Sequence, residues 1–237
     1  MNRRSKLIIA ILIVIIIGIA VILFGSMFGG EKLSSGDKDI LVCAIDESEP
    51  RPGMGAVDMA FLVHMNDGGI TNYTPIYPHG MVHPSIAEPE EYQAMGAGEK
   101  LLLHDCFYWE DKQQCMQYAK EILEYNTNYS CDAVIAVNSQ AIDNIISAAG
   151  TLKYNGEEVN ASGIDFIREE QNTMGMTRGD SVMVIVNALM QAAKDPDKRD
   201  KMINAAVSEY TAGNIAMYPE GSFMELLASK GLQAMFG

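Results

Sequence analysis

Leu7 through Phe24 is an unbroken apolar run of 18 residues, preceded by Arg3, Arg4 and Lys6. With Gly25–Phe28 added, a helix rising about 1.5 Å per residue covers roughly 30 Å, the depth of a bilayer's hydrocarbon core. The pattern predicts a transmembrane anchor over residues 7–28. A cleavable signal peptide has a shorter apolar stretch, about 7–15 residues, and a small-x-small cleavage site; neither is evident. A core helix is disfavoured because the run has no polar face. Three cations ahead of the span, with Lys32 close behind it, predict a cytoplasmic tail at residues 1–6 and an extracytoplasmic remainder held at the cell membrane.

After a Gly/Ser/charged tether at residues 29–38 the period changes. Asp39–Asp46 (DILVCAID) is a β-rich apolar run and predicts a buried strand. Glu47–Gly55 holds two prolines and two glycines and reads as a loop. Val57–Asn66 alternates as a strand, with Val57, Met59, Phe61, Val63 and Met65 on one face and Asp58, Ala60, Leu62 and His64 on the other. Asp67-Gly-Gly predicts a hairpin into a strand at Ile70–Ile76. The stretch Pro75–Gly98, rich in Pro, Gly and His, reads as a long loop.

Met116, Ala119, Ile122 and Leu123 stripe a helix over Lys112–Tyr125, and Asp132–Val137 (DAVIAV) reads as a central strand. Ser139 is expected to cap a helix bearing Ile142, Ile145, Ile146 and Ala149 that ends at Gly150. A turn at Asn155-Gly156 leads to a short helix over Ile164–Gln171. The last third reads as helical: Val182, Ile185, Val186 and Leu189, then a break at Asp195-Pro196, then Met202, Ile203, Ala206, Val207 and Tyr210. Ser222 and Glu225 make a capping-box pattern for a final helix. Strands mixed with helices predict an α/β fold, a single mixed sheet sandwiched between helices, in one domain over residues 39–237.

The chain carries a net charge of −14, and without the three cations of the anchor 14 basic residues face 31 acidic ones. That balance argues against nucleic acid, whose phosphates require a basic footprint. Four cysteines, Cys43, Cys106, Cys115 and Cys131, allow three full pairings, of which a Cys106–Cys115 bridge closes the shortest loop; Cys43, inside an apolar strand, reads as a buried thiol. Glycosylation sequons at Asn72, Asn128 and Asn160 agree with an outside location.

No GxSxG, HExxH, phosphate-cradling GxxxxGKS/T or dinucleotide glycine pattern is present. The polar residues that stand out are Arg51, Asp58, His79, His83, Arg168, Arg178 and Asp180. Guanidinium forks suit phosphate oxygens, and a nearby aspartate can hold a divalent cation that bridges a pyrophosphate. The competing reading makes Arg168 and Arg178 surface residues paired with Glu169, Glu170 and Asp180. Asp58 is pointed because Asp is depleted in strands, although a rim acceptor is an equally simple reading. The four histidines have no compact metal-binding spacing.

In order and spacing, the chain resembles the LytR-CpsA-Psr family over residues 39–190. That family opens on a strand of the form LLxGxDxRP and continues with RSDTxML and SIPRD. Here Ile40-Leu-Val-Cys-Ala-Ile-Asp46, Arg51-Pro52, Gly55-Ala-Val-Asp58-Met-Ala-Phe-Leu-Val-His-Met-Asn66 and Ile76-Tyr-Pro78 follow that order. Later, Asp132-Ala-Val-Ile-Ala-Val-Asn138, Gly150, Asn155-Gly-Glu-Glu158, Phe166-Ile-Arg168 and Arg178 answer the family's remaining motifs.

The resemblance implies a single-span membrane protein with an extracytoplasmic α/β/α domain. It also implies transfer of glycopolymers from a polyprenyl-pyrophosphate carrier, with arginines on the pyrophosphate and an Asp assisted by Mg²⁺. Asp58, Arg168 and Arg178 are kept as the cation-holding and phosphate-facing residues, with Arg168 and Arg178 in the catalytic role. Arg51 and His79 are expected beside the ligand. The family's other arginines fall at Ala56, His79, Glu170 and Ser181, and an aspartate falls at Gly80. Two functions therefore stay open: a divergent glycopolymer transferase working on a lipid-linked glycan, or a non-catalytic envelope scaffold or glycan-binding module.

Overall fold

The computed structural model describes Leu33, residues 36–66 and 69–159 and, in the last third, residues 188–189, 191–192, 194–220 and 222. The apolar run at 7–28, Arg168, Arg178, the helix expected over 164–171 and most of the final helix lie outside the described residues. Among the described residues no helix is long and apolar enough to cross a membrane.

Five strands form the central sheet in the order β3-β2-β1-β6-β9. β1 (Asp37–Asp46) pairs antiparallel with β2 (Ala56–Asn66), which pairs antiparallel with β3 (Gly69–Ile76). On its other side β1 runs parallel to β6 (Ala133–Asn138). β9 (Ile215–Tyr218) closes that edge antiparallel to β6. A ribbon of β4 (Val82–Ala87) and β5 (Lys100–Leu102) and a hairpin of β7 (Leu152–Tyr154) and β8 (Glu157–Val159) lie outside the sheet. The helices are α1 (Glu90–Ala94), α2 (Lys112–Asn126), α3 (Ser139–Ala149) and α4 (Pro196–Ala212).

β1 and β6 are buried on both faces, which is why they read as continuous apolar runs. Ile40, Val42 and Ala44 of β1, with Ile135 and Val137 of β6, pack on one side against Ile142 and Ile145 of α3 and Met202 and Ile203 of α4. Leu41, Cys43 and Ile45 pack on the other side against Met116, Ala119 and Leu123 of α2 and Phe107. The result is a mixed sheet between two helical layers, as the alternation of elements predicts.

Four details depart from the sequence reading. The stretch 75–98 is not one loop, for it contains β4 and α1; its prolines are tolerated because β4 pairs only with β5, at Val82–Leu102 and Ala87–Lys100. The carboxyl-terminal third is not wholly helical, since β9 is a strand whose four residues are too few to show a period. The cap of α3 is Asn138, one residue before Ser139, with Asn138 Oδ1 accepting from the Ala141 amide at 2.9 Å. All four cysteines are free and buried, so the Cys106–Cys115 bridge is absent.

One further departure bears on chemistry. Val57 packs with the α2-side core, opposite to Met59, Phe61, Val63 and Met65. The register explains it: Ala44 pairs with Met59 and Ile45 with Val57, so Asp58 is the extra residue of a β-bulge. A bulge breaks the alternation and re-aims the side chains around it.

Candidate functional site

The bulge lies where β1 ends and β2 begins, at the carboxyl end of the parallel β1–β6 pair. In open α/β sheets that edge is the ordinary place for a ligand, because the loops leaving the strands diverge there. The β1–β2 loop is strapped down by the segment that follows β5. The Gly53 amide donates to Tyr108 O at 2.8 Å, Met54 to Phe107 O at 3.1 Å and Val57 to His104 O at 2.8 Å. Gly53 is required by this approach: a Cβ there would lie 2.2 Å from Trp109 O and 2.3 Å from Phe107 O.

This strap brings together residues far apart in sequence. His104 Nε2 lies 3.7 Å from Asp58 Oδ1 and 3.8 Å from Glu49 Oε2. One ligand atom from each of the three falls within 4.8 Å of the others, a grouping with the reach of a metal ion's donors. The side chains of Asp58, His104 and Glu49 are 18 %, 34 % and 43 % exposed, so an ion from solvent can reach them. Behind them, His104 Nδ1 lies 3.1 Å from Asp105 Oδ1, and Arg51 Nη2 reaches the same oxygen at 2.5 Å. The Arg51 and Asp105 side chains are only 5 % and 6 % exposed, and the Arg51 guanidinium stands 5.0 Å from the Tyr92 ring centroid.

Electrostatics follow from these contacts. The hydrogen bond to Asp105 is the main cause that raises His104 above its ordinary value, with burial working against it. Burial would raise Asp105, but the hydrogen bonds from His104 and Arg51 overcome that and hold its carboxyl below the usual range. Glu88, almost fully buried, receives the Leu102 amide on Oε2 at 2.7 Å while Oε1 has no hydrogen-bond partner. Burial, joined by the neighbouring Asp105 charge, pushes Glu88 up to about 7 despite that amide.

Of the residues singled out in the sequence, Asp58 stands in this group and Arg51 stands behind it, committed to Asp105 rather than extended from its loop. His79 is exposed in the turn after β3 and is not one of the group. His83 is used structurally: its Nδ1 accepts the Ser85 and Ile86 amides at 3.1 and 2.9 Å, so Nε2 carries the proton donated to Glu121 at 2.7 Å. Glu49, Glu88 and Asp105 escaped sequence reasoning, and His104 was set aside there because the four histidines have no compact spacing. The one local signal was a His-Asp pair directly after the apolar Leu101-Leu-Leu103. Asp46 is also turned inward, its Oδ1 accepting the Ser48 amide at 2.8 Å and the Ser48 hydroxyl at 2.6 Å. Glu47 takes the amino end of α3 through the amides of Ser139 and Gln140 at 2.9 and 3.0 Å.

A mixed five-stranded sheet between helices is an LytR-CpsA-Psr-like fold. Crystal-structure comparison agrees: TagV of Bacillus subtilis superposes with a TM-score of 0.50 at 16 % identity, covering 83 % of this chain and 78 % of that one. TagU of B. subtilis (TM-score 0.42, 12 % identity, 82 % of each chain) and TagT bound to LIIa-WTA (0.48, 11 %, 88 % and 82 %) are more distant. No curated protein sequence matches. The chain belongs to the family described as a protein of unknown function, DUF4012, whose model matches residues 35–171.

Proposed function

We propose that this protein is a single-pass cell-envelope protein whose extracytoplasmic domain engages a polyprenyl-(pyro)phosphate-linked glycan at the membrane surface. In this reading residues 7–28 anchor the chain, residues 1–6 lie in the cytoplasm, residues 29–38 tether, and residues 39–237 form the domain. Asp58 helps to hold a divalent cation, Mg²⁺ in the simplest case, and the cation bridges phosphate oxygens. Arg168 and Arg178 meet the remaining oxygens, since charge developing on a transferred phosphoryl group is stabilised electrostatically. The observation that carries the proposal is Asp58 itself. It is the bulged residue of β2, partly open to solvent, at the carboxyl edge of the parallel strands of an LytR-CpsA-Psr-like sheet.

A second reading is favoured by Arg51. Its guanidinium is buried against Asp105 and not available to a ligand, and five arginine or aspartate positions of the resembled family are occupied here by Ala56, His79, Gly80, Glu170 and Ser181. On that reading the protein binds the same lipid-linked glycan without transferring it.

Binding of a polyprenyl pyrophosphate in detergent, with and without Mg²⁺, tests both. Wild-type protein is expected to bind in a cation-dependent way, and Asp58→Asn and Arg168→Ala each to weaken binding at least about tenfold. Turnover of a lipid-linked glycan separates transferase from binding module. Absence of binding, or binding untouched by both substitutions, rejects the ligand class.

A further inference from the structure

We propose that Glu49, Asp58 and His104 form a mixed nitrogen–oxygen site selective for a first-row transition cation, Zn²⁺ or Mn²⁺, over Mg²⁺. The inference deepens the reading of Asp58 as a cation-holding residue and rests on it, but it requires no lipid.

Ligand type comes first. Mg²⁺ takes oxygen donors almost exclusively, whereas an imidazole nitrogen beside two carboxylates suits Zn²⁺ and its neighbours. The donors are also spaced for a small ion. A cation with bonds of about 2.0–2.1 Å sets neighbouring donors about 3.4 Å apart in a tetrahedron. The distances of 3.7 and 3.8 Å from His104 Nε2 need only a few tenths of an ångström of closure. Glu49, the most exposed of the three and held on a loop, can close its own gap to His104.

The tautomer of His104 is a separate observation. Asp105 carries a carboxylate, which only accepts, so the 3.1 Å contact puts the imidazole proton on Nδ1. Neutral His104 therefore presents the Nε2 lone pair to the space between Glu49 and Asp58. Metal-binding histidines are oriented in this way, by a carboxylate on the far ring nitrogen. Asp105 is in turn fixed by two Arg51 nitrogens, Nε at 3.2 Å and Nη2 at 2.5 Å. The donor is thus aimed before any ion arrives.

Glu49 and Asp58 each bring a carboxylate oxygen to His104 Nε2, at 3.8 and 3.7 Å, and a divalent ion placed among them would meet opposite charge. The competing arrangement is an imidazolium at His104 acting as the counter-charge, with no ion at all.

Full-length protein in detergent, stripped with a chelator, is titrated calorimetrically with Zn²⁺, Mn²⁺ and Mg²⁺ alone. Zn²⁺ or Mn²⁺ is expected to bind one-to-one and at least about 100-fold more tightly than Mg²⁺. His104→Ala and Glu49→Gln are each expected to cost that ion at least about tenfold while leaving Mg²⁺ affinity nearly unchanged in His104→Ala. Glu49 is partly exposed, so its variant keeps the test valid should His104→Ala fold poorly. Equal affinities for all three ions, a transition-metal affinity indifferent to both substitutions, or no binding would overturn the inference. If Mg²⁺ and Zn²⁺ bind alike and Asp58→Asn abolishes both, the selectivity falls but the cation role of Asp58 stands; polyprenyl-pyrophosphate binding is read separately and bears only on the proposed function.

Discussion

Arg51 and Asp105 show how one ion pair organises the residues around it. The pair is buried, its geometry is bidentate on a single oxygen, and Tyr92 covers the guanidinium. Removing one partner leaves an uncompensated charge in a poorly solvated place, which typically costs about 3–5 kcal/mol. Arg51→Ala is therefore expected to lower the unfolding free energy by about that amount in denaturant titrations, well beyond an ordinary surface substitution. Glu88 carries a pH dependence. Its folded-state value near 7 lies above the ordinary carboxyl value of 4.5, so the folded protein holds the proton more tightly than the unfolded chain. The stability this proton provides is present at low pH and lost as pH rises through about 7. Glu88→Gln keeps an acceptor for the Leu102 amide and removes the titration. Its stability advantage over wild type should grow between pH 5 and pH 8, on the order of 1–3 kcal/mol, when melting is followed across that range. A constant difference would mean that Glu88 does not titrate there.

At the scale of elements, local patterns were a good guide wherever a segment makes its contacts alone. β1, β2, β6, α2, α3 and α4 all form where the hydrophobic period predicts them, although α3 is capped one residue earlier and β2 carries the bulge. The Asn155-Gly156 turn is a hairpin with both residues at positive φ, 52° and 87°, as that pair favours. β9 and β4 escaped because each depends on a partner strand distant in sequence and is too short to carry a signal of its own. The bulge at Asp58 escaped for the same reason: it is a relation between β1 and β2, visible beforehand only as an aspartate in an apolar strand. Two substitutions test elements. Asn138→Ala removes the cap of α3 and the contact of its amide with Asn214 Oδ1 at 3.0 Å. It should cost about 0.5–2 kcal/mol by denaturant unfolding. Gly53→Ala should cost more than this and detach the β1–β2 loop from the His104–Trp109 segment, raising amide exchange at Met54 and Val57.

For the whole molecule, the order of motifs made the LytR-CpsA-Psr-like fold legible, whereas the acid–histidine group was hidden. In the function proposed above, the apolar run at residues 7–28 would hold this domain close to a membrane surface. The acid–histidine group draws on residues 49, 58, 88, 104 and 105, joined only when the sheet is built and the β5–α2 connection lies over the β1–β2 loop. Burial also explains why four thiols stand free in a domain expected outside the cell. Desolvation raises Cys43 and Cys106 well above the ordinary thiol range, Cys115 to about 11 and Cys131 to about 12. A thiol reagent followed by mass spectrometry should modify none of the four in the native protein and all of them in denaturant. Labelling before unfolding would show that the core opens, and a mass short by two hydrogen atoms would show a disulfide.

In the proposed cation centre, the bulge at Asp58, the β1–β2 loop and the β5–α2 connection meet. Its most direct test is crystallographic: crystals of the protein grown with Mn²⁺, with diffraction data that resolve manganese anomalous scattering. A single strong anomalous peak is expected, bonded to Glu49, Asp58 and His104 Nε2 at about 2.0–2.3 Å from each, with His104 Nδ1 still on Asp105. No peak there, with His104 bridging the carboxylates by hydrogen bonds alone, would contradict it.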